Sequence, residues 1–336
     1  MTGDQRGYRP DPPATRDTVR WPDDFGTRFT IMVDTEEEFD WSQPFSRDNR
    51  STRAIAQLPD AHRRFAERGI GITYLVDHPV ATAPAAVDTL GELLRDGRSA
   101  IGAQLHPWVT PPFDEDVNDR NSFAGNLSAD LEHAKIGVLT RAIATAFGAA
   151  PLIYRAGRYG LGPNSAASLI AHGYRIDSSV RARYDYSNDG GPDYRATGNA
   201  PYRIAPDLVE LPLTTLFTGR LRASGVSLYP AISRFPLGPA VAARTGLLSR
   251  VALTPEDMPL ADVLEAIRIG LGEGERLLNF SFHSPSVAPG HTSFVRDAGD
   301  LAAFHRWWDA VLDLLDRRGV RSASHDELIE ALDRVG

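Results

Sequence analysis

A chain of 336 residues with 42% apolar content can fill the core of one large α/β domain, while a formal net charge of -8 with no long basic stretch argues against nucleic acid as a partner. Cysteine is absent, which excludes disulfides, thiolate metal sites and cysteine nucleophiles together. Lys135 is the only lysine, so Schiff-base chemistry would rest on one residue inside an expected polar helix.

No apolar run reaches the roughly 18 residues of a membrane span, and residues 1–17 lack the apolar segment of a signal peptide. The expectation is a cytoplasmic protein without a membrane partner. Its oligomeric state cannot be read from the sequence.

Residues 1–24 read as an irregular Pro/Arg/Asp-rich arm, and 25–336 as one domain with long loops at 107–125 and 181–206. The apolar run FTIMV at 29–33 predicts a strand that stops in carboxylates: Asp34, Glu36, Glu37, Glu38 and Asp40. A helix is expected over 55–68, a strand over 72–77 ending in Asp77-His78, a helix over 87–95, and a strand over 100–105 leading into His106. Then follow a long helix (127–147), a strand ending at Arg155, a helix (163–172) and a strand (174–180) holding Asp177. A strand at 209–214, helices at 259–271, 298–317 and 326–333, and strands at 277–282 and 320–323 complete the pattern. Residues 220–250 carry no clear periodicity.

This alternation favours parallel strands with helical crossovers. Polar residues recur just after strands: Asp34/Glu36, Asp77/His78, His106, Arg155, Asp177 and His283. A β/α barrel would gather them on one face, and an open doubly wound sheet would gather some of them. There is no G-x-S-x-G, no G-x-G-x-x-G after the first strand, no phosphate-binding loop of the Walker type and no H-E-x-x-H. What remains is carboxylate and imidazole, the oxygen and nitrogen ligands of a hard or borderline divalent ion. Asp34 and Glu36 lie two apart, so in an extended chain they share a side. Either could bind metal while the other takes a proton. Arg155 could orient a carboxylate.

Five segments taken in order, VDTEEEFDW (33–41), IGAQLHPW (101–108), YRAGRYGLG (154–162), YRIDSS (174–179) and FSFHSPSVAPGH (280–291), resemble the polysaccharide deacetylase family. This is the NodB-homology or carbohydrate esterase 4 group, and the likeness is greatest to its WalW-type branch. The resemblance implies a distorted (β/α)7 barrel and metal-dependent removal of an acyl group from an N-acylated sugar or related amide. By motif it implies Asp34 as base, Glu36 and His106 as metal ligands, Arg155 as the group fixing the base, and His283 as general acid with Asp177 near it or its supporting network. Gln104 stands where the short H-x-H form of the family's second motif has another histidine, so a third ligand would come from Gln104, Asp34, His78, His283 or the Glu37/Glu38 pair. The implied cofactor is a divalent metal, zinc first, with cobalt, nickel or manganese as alternatives. Trp108 could stack on a sugar ring, and a packed aromatic is at least an equal reading. Two other readings stay open: a carbohydrate-binding or regulatory barrel without a complete metal site, and a metal-dependent amidohydrolase acting on a small cytoplasmic amide.

Overall fold

In the computed structural model, which describes residues 7–40 and 43–335, the strand expected at 29–33 is the eight-residue β1 (Arg28–Thr35). Trp41 of the first motif and residues 1–6 of the arm lie outside the described residues. Phe29, Ile31 and Val33 join the larger apolar cluster, under the helices, while Met32 belongs to a second cluster. On β1 the two clusters alternate, as expected of a pleated strand whose successive side chains face opposite ways.

The chain continues through α1 (Leu58–Ala66), β2 (Thr73–Val76), α2 (His78–Thr82), α3 (Pro84–Leu93), β3 (Ala100–Leu105) and α4 (Ala129–Phe147). Then come β4 (Ile153–Ala156), α5 (Ser165–Ala171), β5 (Ile176–Asp177), β6 (Tyr202–Ala205), β7 (Leu208–Glu210) and β8 (Thr215–Thr218). Next are α6 (Gly225–Ile232), α7 (Gly238–Arg244), β9 (Ser249–Ala252), α8 (Leu260–Glu273) and β10 (Leu277–His283). The chain closes with α9 (Ala298–Arg317), β11 (Arg321–Ser322) and α10 (His325–Asp333).

The main sheet runs β10-β1-β2-β3-β4-β5-β7-β6, with β11 also on β1. Every pairing in it is parallel except β6–β7. This is the distorted β/α barrel that the resemblance implied, and one of the two parallel arrangements that the alternation left open. The gap between β7 and β10 is bridged by a side chain. The Asn279 amide donates to Leu211 O at 3.1 Å and Pro212 O at 3.3 Å, and the Asn279 backbone N–H donates to Thr214 Oγ1 at 2.9 Å.

The barrel interior is layered. Met32, Leu75, Ile153, Ile176, Val209 and Leu277 fill one end, closed by Val19 and Trp21 from the N-terminal arm and by Phe25 just after it. Trp21 and Phe25 stack with ring centroids 4.3 Å apart. Above this apolar plug the same inward positions turn polar: Asp34, Gln104, Arg155, Ser178 and Asn279, all buried. Charge is therefore confined to the C-terminal ends of the strands, where a β/α barrel places its site.

The stretch without clear periodicity, 220–250, contains α6 and α7 and is flanked by the antiparallel β8–β9 pair. Lys135, fully buried in α4, donates to Pro107 O at 2.9 Å, to Thr110 O at 2.6 Å and to Pro112 O at 2.6 Å, pinning the loop after His106. An ammonium so engaged is a structural clamp.

Candidate active site

The ends of β1, β3, β4 and β10 converge on one cleft of about 290 Å³, bordered by Asp34, Glu36, Gln104, His106 and His283. β1 and β10 run in parallel register with Asp34 opposite His283. Arg155, fully buried, donates from one terminal nitrogen to Asp34 Oδ1, while its Nε donates to Ser178 O at 2.9 Å. The other Asp34 oxygen, Oδ2, faces His283 Nε2 at 3.6 Å. One carboxylate thus has a clamped oxygen and an oxygen turned to an imidazole.

The partner of His283 is a residue that sequence reasoning passed over. Glu256 accepts from His283 Nδ1 at 2.6 Å and from the His283 backbone N–H at 3.1 Å, and Ser286 Oγ donates to its Oε1. Burial opposes charge on His283, but Glu256, Glu36 and Asp34 outweigh it and hold the imidazolium up to about 10. The same cation keeps the buried Glu256 carboxyl below its ordinary range. The resemblance set Asp177 beside His283; the structure gives a different arrangement. Ser178 points inward to Arg155 and Asn279, so its neighbour Asp177 faces outward, like its register partner Tyr154 in the outer cluster. There Asp177 is bonded by the Ser179 hydroxyl and lies next to Glu210 of β7. Burial pushes Asp177 up to about 7 and Glu210 well above the carboxylate range.

The second half of the site is built around His106. Its Nδ1 donates to Glu37 Oε2 at 2.7 Å, and Nε2 is 3.5 Å from Glu36 Oε2. Trp108 Nε1 donates to Glu37 Oε1 at 2.9 Å, and its ring stacks on His106 with centroids 4.4 Å apart. Trp108 is 1% exposed, so it braces the imidazole and has no face for a sugar, which is the packed-aromatic reading of the two that the sequence allowed. The ring also needs Gly157 behind it: a Cβ there would lie 2.2 Å from His106 Cδ2. Asp77 caps α2 by accepting from Val80 N at 2.8 Å and accepts from Glu37 N at 2.8 Å. His78 is the first residue of α2 and does not border the cleft. His291 does border it, with Nδ1 3.3 Å from Glu38 Oε2.

Two groupings could hold a metal ion. Glu37, Asp77 and His106 bring ligand atoms within 4.8 Å of one another. Both Glu37 oxygens, however, already accept from N–H groups, and the Asp77 oxygens accept from backbone N–H groups. They read as the support that fixes the imidazole, a common arrangement behind a ligating histidine. The cleft side offers the other grouping: Glu36, His106 Nε2 and Gln104. Gln104 is 2% exposed, and its Oε1 has no hydrogen-bond partner. A buried orphan carbonyl is costly unless something accepts its lone pairs, so this donor set fits a cation. Burial raises Glu36 to about 8 against the pull of His283 and His106. A cation at this point would reverse that.

The far wall is aromatic and basic. Arg158 and Tyr159 follow β4 with φ of 55° and 59°, and both border the cleft. Two successive non-glycine residues in the left-handed region are strained, as often occurs at working sites. Tyr194 holds this turn by donating to Tyr159 O at 2.5 Å.

No protein-family model and no curated protein sequence matches the chain. Solved structures do. A "probable Polysaccharide deacetylase" from Pseudomonas aeruginosa is 14% identical with a TM-score of 0.53, over 93% of this chain and 92% of that one. Peptidoglycan deacetylase PdaC from Bacillus subtilis is 11% identical with a TM-score of 0.41, over 92% and 93%. A CE4 family pseudoenzyme from Bacillus anthracis is 9% identical with a TM-score of 0.44, over 90% and 65%. The similarity to the Pseudomonas structure runs nearly the full length of both chains, and on it this chain has the fold of the polysaccharide deacetylases.

Proposed function

We propose that the chain is a deacetylase-type hydrolase that cleaves the amide of an N-acylated sugar or a related compound, with a divalent ion held by Glu36, His106 and Gln104. The observation that carries this reading is Asp34, clamped through one oxygen by Arg155 and facing His283 with the other, on the same cleft as Glu36 and His106. Asp34 takes the proton of the attacking water, and Arg155 keeps its reacting oxygen aimed. His283 is cationic at neutral pH, which suits it to protonate the departing amine. Glu256 holds that imidazole by Nδ1, leaving Nε2 toward the cleft. When bound, the ion supplies Lewis acidity to the scissile carbonyl and acidifies a water. The tyrosine and arginine wall suits the hydroxyl groups and apolar face of a sugar ring.

A second reading follows from Gln104, which offers an amide oxygen where the resemblance calls for an imidazole: a carbohydrate-binding barrel without turnover. Metal titration with zinc, cobalt, nickel and manganese, followed by turnover of N-acetylated oligosaccharides, separates the two. The hydrolase reading requires a bound ion and loss of about 10²–10⁴-fold in turnover for Asp34→Asn with binding retained. Failure of all four ions to bind would overturn it.

A further inference from the structure

Between β8 and β9 the chain leaves the barrel as an excursion, residues 219–248, carrying α6 and α7. Eight large apolar side chains are exposed among the described residues, and six lie here: Leu221, Val226, Phe235, Leu237, Val241 and Leu247. Phe235 and Leu237, at the bend between the helices, are 68% and 72% exposed. Such a concentration marks a surface that meets something apolar. Its neck is held: Leu221 N–H donates to Leu247 O at 2.8 Å, and Arg220 N–H donates to Gly246 O at 3.1 Å.

The charge of the same stretch names the partner. Between Glu210 and Glu256 there is no Asp or Glu, in a chain whose net charge is -8. Arg220, Arg222, Arg234 and Arg244 are all exposed there. Arg222 lies 3.6 Å from Glu273, and the other three have no ion pair among the described residues. Exposed apolar side chains among unopposed arginines are the signature of an element lying in the interface of an anionic bilayer. A second copy seated by a two-fold on this face would set arginine against arginine, which disfavours it.

We propose that the excursion docks on an anionic phospholipid surface, Phe235 and Leu237 entering the interface and the arginines meeting headgroup phosphates. No helix of the described residues is long and apolar enough to cross a membrane, so the contact is peripheral. The excursion reaches the cleft through packed rings. Arg250 lies 4.7 Å from the Tyr229 ring of α6 and 3.6 Å from the Tyr184 ring, and Tyr184 stacks on the cleft-lining Tyr186. Docking therefore holds the cleft beside the surface, whatever chemistry the cleft performs.

The test is co-sedimentation of the full chain with vesicles of phosphatidylcholine alone or two parts phosphatidylcholine to one of phosphatidylglycerol. Binding is expected only to the anionic vesicles, and high salt should weaken it. Each arginine removed should cost about fivefold, so the triple variant Arg220→Gln, Arg234→Gln, Arg244→Gln should bind about 100-fold more weakly. The double variant Phe235→Ser, Leu237→Ser should not bind, and circular dichroism should report an intact fold for both. No binding to anionic vesicles, equal binding to neutral ones, or wild-type binding by the triple variant would overturn the proposal. A dimer in sedimentation equilibrium that Phe235→Ser, Leu237→Ser dissociates, with no vesicle binding, would overturn it in favour of self-association.

Discussion

Replacing Glu256 by Gln removes one negative charge behind His283 and puts an amide donor in place of the oxygen that accepts from Nδ1. The contact is short, 2.6 Å from Nδ1 to Oε2, and buried, with Glu256 5% exposed. An adjacent opposite charge moves a titrating group by about 1–3 units. His283 stands at about 10 with three carboxylates around it, of which Glu256 contributes the most. Asp34 and Glu36 remain in Glu256→Gln, so the imidazolium should fall by about 2 units, roughly 3 kcal/mol of differential stabilisation. The Gln carbonyl can still accept from Ser286 and from the His283 backbone, so the fold should persist. Titration of the imidazole ¹⁵N resonances by NMR in metal-free protein reads the value directly, without a known substrate. Once a substrate is found, the alkaline limb of the pH–rate profile should move down with it. A His283 titration that shifts by less than about half a unit would refute the assignment of Glu256 as the group that keeps the acid charged.

Two further outcomes follow from the buried carboxylates. Glu37→Gln keeps the shape but weakens the hold on His106 Nδ1, so affinity for a divalent ion should drop about 10–100-fold in calorimetric titration; unchanged affinity would mean that Glu37 does not orient the ligand. Glu36 and His283 both have folded values above their ordinary ones, about 8 and about 10, so each binds its proton more tightly in the folded state. The stabilisation from protonated His283 is full below its unfolded value of 6.5 and is lost as pH rises through about 10; for Glu36 the loss runs from 4.5 up through about 8. The metal-free protein should therefore lose Tm as pH rises from 6 to 10, while Glu36→Gln declines less across the interval around 8. Parallel Tm curves in the presence of chelator would contradict the burial argument for Glu36.

Much of the architecture was legible in the chain. A strand needs only a short β-type run with a break after it, and 100–105 and 298–317 coincide with β3 and α9 because nothing in the tertiary structure competes with their local signals. Polar residues just past such runs, including Asp34, Glu36, His106, Arg155 and His283, could be marked as a group because parallel strands in a barrel end on one face. Glu256 could not, since it sits in an irregular turn after a stretch with no clear period. Its one sequence signal is that it is the first acid after Glu210.

What tertiary structure decided was direction and partnership. Period-two alternation separates Ser178 from Asp177, but only the surrounding elements determine which of them enters the barrel. Trp108 follows His106 closely enough to suggest a binding aromatic, yet stacking on the imidazole and a bond to Glu37 bury it. Gln104 lies near the end of β3, two residues before His106, which directly follows the strand, so its place on the cleft follows from sequence. That its carbonyl is left without a partner emerges only when the barrel closes around it. Sequence spacing prescribes which side chains share a face; which of them meet, and which are left unsatisfied, depends on the strands and loops brought in from the rest of the chain.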